Sequence, residues 1–158
     1  MNICVTLAGS YRGERFNKMK KLKEQLERDG VMVLYPQGKL NGDGFGFFES
    51  DNSDDEIIVE RAFIEQTIHK CNAIIFCNYD NHLGLTSTME FEIFNKINSF
   101  FSSFYNGFPI YLLENINYNE LNEPTKLLVS QNITKGILKI GINKFYDDFI
   151  KKEEIFER

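Results

Sequence analysis

Four short apolar runs constrain the fold of this chain more than any other feature of its sequence. They cover residues 3–8, 31–35, 73–77 and 109–113, and each contains β-branched or aromatic residues. A strand with one face in water shows alternating apolar and polar residues. These runs are apolar throughout, so each indicates a strand that is covered on both faces. A weaker fifth run covers residues 136–142. Together the runs predict a five-stranded, mainly parallel sheet.

Helical patterns separate these runs. Residues 16–28 place apolar side chains three and four positions apart, and the stretches 56–70, 88–104 and 144–156 are helical in character as well. Strands that alternate with helices imply βαβ units with right-handed crossovers. The sequence therefore predicts an α/β protein, a three-layer α/β/α sandwich of the flavodoxin-like or Rossmann-like type, and its 158 residues fit one domain.

Charge and composition exclude several classes of function. The net charge of −5 argues against binding to a nucleic-acid polymer, which needs clustered Lys and Arg. Cys4, Cys71 and Cys77 form no CxxC pair, and we expect three buried, reduced thiols. His69 and His82 have no partners at metal-ligand spacing, so the sequence predicts neither a metal site nor a bound cofactor.

The N-terminus shows no basic stretch followed by a long apolar core, and no apolar run approaches the ~20 residues that span a bilayer. We therefore expect a cytoplasmic protein that has no contact with a membrane.

One glycine-rich, acidic segment, residues 37–55, interrupts the alternation of strands and helices and is long for a connection in a small domain. It has two interpretations. It could be a mobile surface loop, or it could be a lid whose aromatic rings cover a ligand. The rings of Phe45, Phe47 and Phe48 favour the lid, because a solvated loop has little use for them. Phe47 is the candidate contact.

The first candidate site follows strand one, where residues 8–15 lead into the first helix. Backbone N–H groups at a helix start are unpaired and attract anions. Glycines permit close approach, a serine can donate a hydrogen bond, and an arginine can hold a phosphate in two places. The candidate binding residues are Gly9, Ser10, Tyr11, Arg12 and Gly13, with Arg15 as a further one. The alternative is a capped helix start with two solvated arginines.

The second candidate site follows strand three, where residues 78–90 form a glycine-containing loop and a helix start. Ligands of doubly wound sheets bind where neighbouring strands send their connections to opposite faces, and strands one and three commonly flank that point. Glu90, expected in the first helical turn, would face this crevice, whereas Glu92 points about 200° away. The alternative is that Ser87 and Thr88 cap the helix and Glu90 favours its positive end. Further candidate binding residues are Gly84 and Ser87, with Asp80 as a possible one.

The two motifs together resemble the nucleoside 2-deoxyribosyltransferase superfamily, which includes the 2′-deoxynucleoside 5′-phosphate N-hydrolases. The resemblance extends over residues 3–113 as an ordered pattern, carried by residues 7–13, 30–36, 68–75 and 84–90. It implies cleavage or transfer of an N-glycosidic bond, with a nucleoside or nucleotide as the small-molecule partner. It also implies a homodimer or a larger homo-oligomer, for which residues 93–104 could supply an interface or could equally be core.

The resemblance assigns roles to particular residues. The hydrolase branch holds the 5′-phosphate with a Gly-Ser-aliphatic-Arg-Gly loop, and its catalytic glutamate maps onto Glu90, which would form a glycosyl-enzyme ester. The residues that match the loop are Gly9, Ser10, Arg12 and Gly13, with Tyr11 in the aliphatic place.

Two family positions differ here. The family's Tyr near the end of strand one is replaced by Thr6 or Leu7, and Tyr11, Tyr35 or Tyr79 could supply a phenol instead.

The family's Asp on the second helix, eight residues before the Asp that opens strand three, is also absent. Ile64 and Asn72 occupy those two places, and Glu60, Arg61 or Glu65 could substitute. Two functions therefore stay open: a glycosyl-transferring or hydrolysing enzyme, and an inactive nucleotide-binding sensor on the same fold. A flavodoxin-like carrier is a weaker third.

Overall fold

The computed structural model describes residues 2–9, 13–34, 38–40, 44–46, 56–101 and 107–151, and for 38–40, 44–46, 56–59 and 100–101 it describes the backbone only. The strands are β1 (Cys4–Gly9), β2 (Met32–Leu34), β3 (Gly38–Leu40), β4 (Gly44–Gly46), β5 (Ala73–Cys77), β6 (Ile110–Leu112) and β7 (Leu138–Ile140). The helices are α1 (Gly13–Arg28), α2 (Glu56–Lys70), α3 (Leu85–Phe101), α4 (Glu123–Thr134) and α5 (Ile142–Phe145). Short 3-10 turns cover Tyr79–Asn81 and Tyr118–Glu120, and a π-helical segment, Tyr146–Lys151, continues α5.

Five parallel strands form the main sheet in the order β2-β1-β5-β6-β7. The central pair is β1 and β5, in which Leu7 is the partner of Ile75 and Gly9 the partner of Cys77. The chain leaves β1 for β2 on one side of the sheet and β5 for β6 on the other, so the topological switch point lies between β1 and β5. This confirms the predicted three-layer sandwich, and the switch point lies between the two strands that precede the two candidate motifs.

The two faces of the sheet carry separate apolar cores. On one face, Val5 and Leu7 pack with Met19 and Leu26 of α1 and with Phe145 of α5, all of them buried.

On the opposite face, phenylalanine rings from α2 and α3 pack against β5. Phe63, Phe91 and Phe94 are almost completely buried there, and the rings of Phe76 and Phe91 meet edge to face at 5.3 Å. Such pairs contribute about 0.5–1.5 kcal/mol beyond their area burial. Helices α2 and α3 therefore share one layer, which positions the site described below. Phe94 belongs to this core, so it is not available to a subunit interface.

Helix α3 begins three residues before the predicted start at residue 88. The carbonyl of Gly84 accepts the N–H of Thr88 at 2.8 Å, so the first helical turn is already formed over residues 85–88. Ser87 and Thr88 consequently lie inside the helix and do not cap it, and Glu90 lies in the second turn and not in the first.

The connection between β6 and β7 contains α4, to which the sequence analysis assigned no residues. Its start is marked by an ordinary cap, because the side chain of Asn122 accepts the N–H of Thr125 at 2.9 Å and Pro124 follows in the first turn.

The last predicted helix, residues 144–156, begins at Ile142 instead and changes to a π-helical segment at Tyr146. Residues 152–156 lie outside the described part of the chain.

The segment 37–55, predicted as a loop or lid, contains a hairpin. Strands β3 and β4 pair antiparallel, with Gly38 opposite Gly46 and Leu40 opposite Gly44. Three residues separate them, a connection length that hairpins often use. Phe47 and Phe48 lie outside the described residues, so the lid stays a prediction. No helix in the described part of the chain is long and apolar enough to cross a membrane.

Candidate functional site

Two glutamates meet between α2 and α3 on one face of the sheet. Both helices start beyond the carboxyl ends of the strands, and Glu60 and Glu90 each lie in the second turn of their helix. The carboxyl group of Glu60 lies close enough to Glu90 to affect its protonation. Both carboxyl groups thus lie at the edge of the sheet where the sequence analysis expected a ligand.

The environment of Glu90 favours its neutral form. Only 4 % of the residue is exposed, and Oε2 of Glu60 is buried as well. Burial raises the pKa of Glu90 well above its usual range, and the charge of Glu60 and the hydrogen bond to it raise the pKa further. Two neighbouring carboxyl groups in a buried region favour one proton between them over two negative charges. The pair therefore has one potential acid and one potential nucleophile.

Of the three residues that could substitute for the family's aspartate, Glu60 is the one that affects the pKa of Glu90. It lies one helical turn before Ile64, so both positions are on the same side of α2. The two other candidates, Arg61 and Glu65, are exposed and pair with each other at 2.8 Å. The spacing of one turn was the available signal in the sequence, but only the contact with Glu90 distinguishes Glu60 from its neighbours.

None of the described substitutes for the family's tyrosine contacts Glu90. Thr6 is fully buried, and its hydroxyl group hydrogen-bonds to that of Thr67 at 3.0 Å. Leu7 belongs to the core on the opposite face of the sheet. The hydroxyl group of Tyr79 donates to the carbonyl of Lys18 in α1 at 3.3 Å. Tyr11 and Tyr35 lie outside the described residues.

The predicted residues Arg15 and Asp80 come together at the switch point. Nε of Arg15 and Oδ2 of Asp80 are 3.7 Å apart, which joins the start of α1 to the loop after β5. Nε of Arg15 is buried, yet it finds no hydrogen-bond acceptor within the described ranges. The guanidinium group of Arg15 therefore lies near the Asp80 carboxylate without a close hydrogen bond to it.

The loop after β5 is built as a rigid turn. Asp80 and Asn81 have left-handed backbone conformations, with φ of 60° and 57°. Their N–H groups donate to the carboxylate of Glu114, at 3.2 and 3.3 Å. The buried side chain of Asn78 holds the connection after β6, because its Oδ1 accepts the N–H groups of Leu113 and Glu114. Strained backbone that several hydrogen bonds maintain is frequent beside ligand sites.

The glycines of the two motifs have different roles. A Cβ at Gly9 would lie 3.1 Å from the carbonyl oxygen of Cys77 and 3.2 Å from its Cβ, so a side chain at this position would press against β5. Gly13 has a φ of 62° and opens α1. Gly84 has open space where a side chain would stand. Ser87 is buried one turn before Glu90 on α3.

Four predicted contacts lie outside the described residues: Ser10, Tyr11, Arg12 and Phe47. Glu92, the rejected alternative to Glu90, accepts a hydrogen bond from Asn122 at 3.2 Å and so turns towards the chain before α4.

Within the described ranges, no group of three or more His, Cys, Asp or Glu side chains is arranged to hold a metal ion. No protein-family model, no curated protein and no solved structure matches the chain.

Proposed function

We propose that this protein cleaves or transfers the N-glycosidic bond of a nucleoside or nucleoside 5′-monophosphate, with Glu90 as the nucleophile. The observation that carries the proposal is the buried carboxyl pair of Glu60 and Glu90 beside the switch point of the sheet. A retaining glycosyl transfer needs one carboxylate that attacks the sugar and one carboxylic acid close to it. The resemblance to deoxyribosyltransferases, which rests on the order of four sequence segments, points to the same reaction.

The proposed reaction has two steps. The carboxylate of Glu90 attacks the anomeric carbon, the bond from that carbon to the base nitrogen breaks with its electron pair going to the base, and the proton of the pair passes from Glu60 to the departing base. Water or a second base then attacks the glycosyl ester, and Glu60 takes up the proton that this nucleophile releases. Glu60 has both roles because the second step reverses the direction of proton transfer.

The substrate must separate the two side chains. Retaining glycosidases hold their carboxyl groups about 5 Å apart, which leaves room for the sugar between them. A sugar entering between α2 and α3 would separate the two groups, and the proton that burial favours on Glu90 has to pass to Glu60 before Glu90 attacks.

A phosphate group on the substrate would lie at the start of α1. Arg12 and Ser10 are the candidate donors by sequence, and the Arg15 guanidinium is held nearby by Asp80. Arginine is suited to a phosphate because its planar group donates two parallel hydrogen bonds.

A second candidate function is a nucleotide-binding module without catalysis. The observation that favours it is the low exposure of Glu90, because a nucleophile has to meet its substrate. In that case the carboxyl pair joins α2 to α3, and only the loop after β1 contacts the ligand.

The experiment that separates the two functions is an assay for free base with a panel of deoxynucleosides and their 5′-monophosphates. The proposal expects base release by the wild-type protein and none by Glu90→Gln. Glu92→Gln is the matched control, since it alters a glutamate on the same helix that points away from the pair, and it should keep full activity. Tight nucleotide binding without base release supports the binding module.

A further inference from the structure

We propose that Cys4 and Cys71 form a reversible disulfide, which makes the junction of β1 and α2 a thiol redox site. The two Sγ atoms are 3.0 Å apart. Because a disulfide has an S–S distance of about 2.05 Å, bond formation requires a movement of only about 1 Å. The inference is independent of the proposed function, since neither cysteine belongs to the carboxyl pair.

The backbone holds the two cysteines opposite each other. The N–H of Cys4 donates to Oδ1 of Asn72 at 2.9 Å, and the N–H of Asn72 donates to the carbonyl of Cys4 at 2.7 Å. These two bonds fix the residue that follows Cys71 against the first residue of β1. The hydroxyl group of Thr6, 3.3 Å from Sγ of Cys71, restricts that thiol further. The backbone and the neighbouring hydroxyl group therefore keep the two sulfur atoms adjacent.

The two thiols differ in access and in protonation. Cys4 is buried, while Cys71 is partly exposed and can meet a reagent, which corrects the expectation of three buried thiols. The hydrogen bond from the Cys71 thiol lowers the pKa of Cys4, and the charge of Lys70 lowers it as well. Burial acts in the opposite direction but has a smaller effect than the hydrogen bond. That bond, together with burial, raises the pKa of Cys71. The pair thus gives up its first proton more easily than an isolated buried thiol does, and the remaining proton lies between two adjacent sulfur atoms.

The third thiol provides an internal comparison. Cys77 lies on β5 and is buried in the core on the α1 face. Burial raises its pKa, so it holds little reactive thiolate.

The oxidant that we name is a low-molecular-weight disulfide of the glutathione class. Cys4 first loses its proton to water, and the proton of Cys71 then passes to the Cys4 thiolate. The resulting Cys71 thiolate attacks one sulfur of the reagent, forming a mixed disulfide and expelling one thiolate. The Cys4 sulfur then attacks Sγ of Cys71, the bond between Cys71 and the reagent breaks, and the second thiolate leaves with the proton of Cys4. Two protein thiols are oxidised and one reagent disulfide is reduced to two thiols.

The test is thiol mapping of the folded wild-type protein. The protein is incubated with oxidised glutathione without denaturant, denatured, alkylated with N-ethylmaleimide and analysed by mass spectrometry. We expect one alkylated cysteine, Cys77, and a linked peptide pair that contains Cys4 and Cys71. Dithiothreitol should restore three alkylated cysteines. Three alkylated cysteines in the oxidised sample, or a link that involves Cys77, would overturn the inference.

Two variants control the result. Cys77→Ala should still form the link, because the third thiol takes no part in it. Cys4→Ser leaves Cys71 without its resolving thiol, so Cys71 should hold glutathione as a stable mixed disulfide. If Cys71 in this variant takes up no glutathione and the wild-type protein forms no link, the site is not redox-active. Circular dichroism of each sample establishes that the measurement concerns the folded state.

Discussion

Glu60 on α2 and Glu90 on α3 lie far apart in sequence, yet the carboxyl group of Glu60 raises the pKa of Glu90 in the layer that covers one face of the sheet. The contact brings two acidic groups into a region with little exposure, where a single shared proton is favoured over two charges. This arrangement has consequences for stability that do not depend on any substrate.

The stability of the protein should fall as the pH rises above the ordinary range of a glutamate. Burial and Glu60 raise the pKa of Glu90 in the folded state, so the folded protein keeps a proton that the unfolded chain has lost. This contribution is fully present below the unfolded-state pKa of about 4.3 and is lost as the pH rises towards the folded-state value. The slope per proton is about 1.4 kcal/mol per pH unit.

Urea unfolding between pH 4 and 8 measures this effect. Glu90→Gln should flatten the decline and raise the free energy of unfolding at pH 7 relative to the wild-type protein, while Glu92→Gln should follow the wild-type curve. Glu60→Gln removes the repelling charge and lowers the folded-state pKa of Glu90, so the decline should end at a lower pH and be smaller. Parallel curves for all four proteins would mean that the two carboxyl groups do not share a proton.

Gly9→Ala should destabilise the protein by about 1–3 kcal/mol, because the new methyl group would press against Cys77 in the centre of the sheet. Gly84→Ser is the matched control: it has open space and occupies the residue before α3, where serine is favoured. Thermal unfolding should show a loss for the first variant and none for the second. Equal stability of the two proteins would show that the strands can separate enough to admit a side chain at Gly9.

Substitutions of Thr6 and Thr67 should have non-additive effects on the free energy of unfolding, because the two side chains share a hydrogen bond. Both residues are buried and their hydroxyl oxygen atoms are 3.0 Å apart. Thr67→Val keeps the shape of the side chain but removes one partner, at a cost of about 1–2 kcal/mol. The double variant with Thr6→Val should lose less than the sum of the single losses, because no hydroxyl is then left without its partner. Additive losses in the free energy of unfolding, measured by chemical denaturation, would contradict a direct bond. The control is Thr86→Val at the exposed start of α3, which should leave the free energy of unfolding almost unchanged.

Arg12→Ala should weaken the binding of a nucleoside 5′-monophosphate about tenfold or more and leave the binding of the free nucleoside nearly unchanged, since a charged hydrogen bond contributes about 1.5–3 kcal/mol. Isothermal titration calorimetry with the two ligands gives the comparison. Equal losses for both would assign Arg12 a structural role. Arg15→Ala tests the neighbouring cation, whose pairing with Asp80 should make its effect on phosphate binding the smaller of the two.

The sheet could be predicted from sequence because its strands are covered on both faces and therefore form continuous apolar runs. The position of the switch point followed from the alternation of strands and helices. The start of α3 was predicted too late, since the serine and threonine at 87 and 88 suggest a cap although Gly84 provides the first carbonyl. Helix α4 was not assigned because its first turn is the only clear signal in a segment without a regular apolar stripe.

The candidate site was predictable only in part. Glu90 could be identified from the loop before it, and Arg15 and Asp80 from their position after β1 and β5. The partner of Glu90 depended on which side of α2 faces α3, and the sequence leaves Glu60, Arg61 and Glu65 as equals until the two helices are packed. The contact between Cys4 and Cys71 was invisible for the same reason, because it depends on how the end of α2 meets the start of β1.

The most direct test of the glycosyl-transfer account is a search for the covalent intermediate. The protein is mixed with a deoxynucleoside monophosphate that yields free base, quenched in acid after a short interval, and digested for peptide mass mapping. The account predicts a deoxyribosyl phosphate ester on the Glu90 peptide in wild-type protein and none in Glu90→Gln. Base release without an adduct at Glu90, an adduct on Glu60 instead, or no base release from any substrate would contradict it.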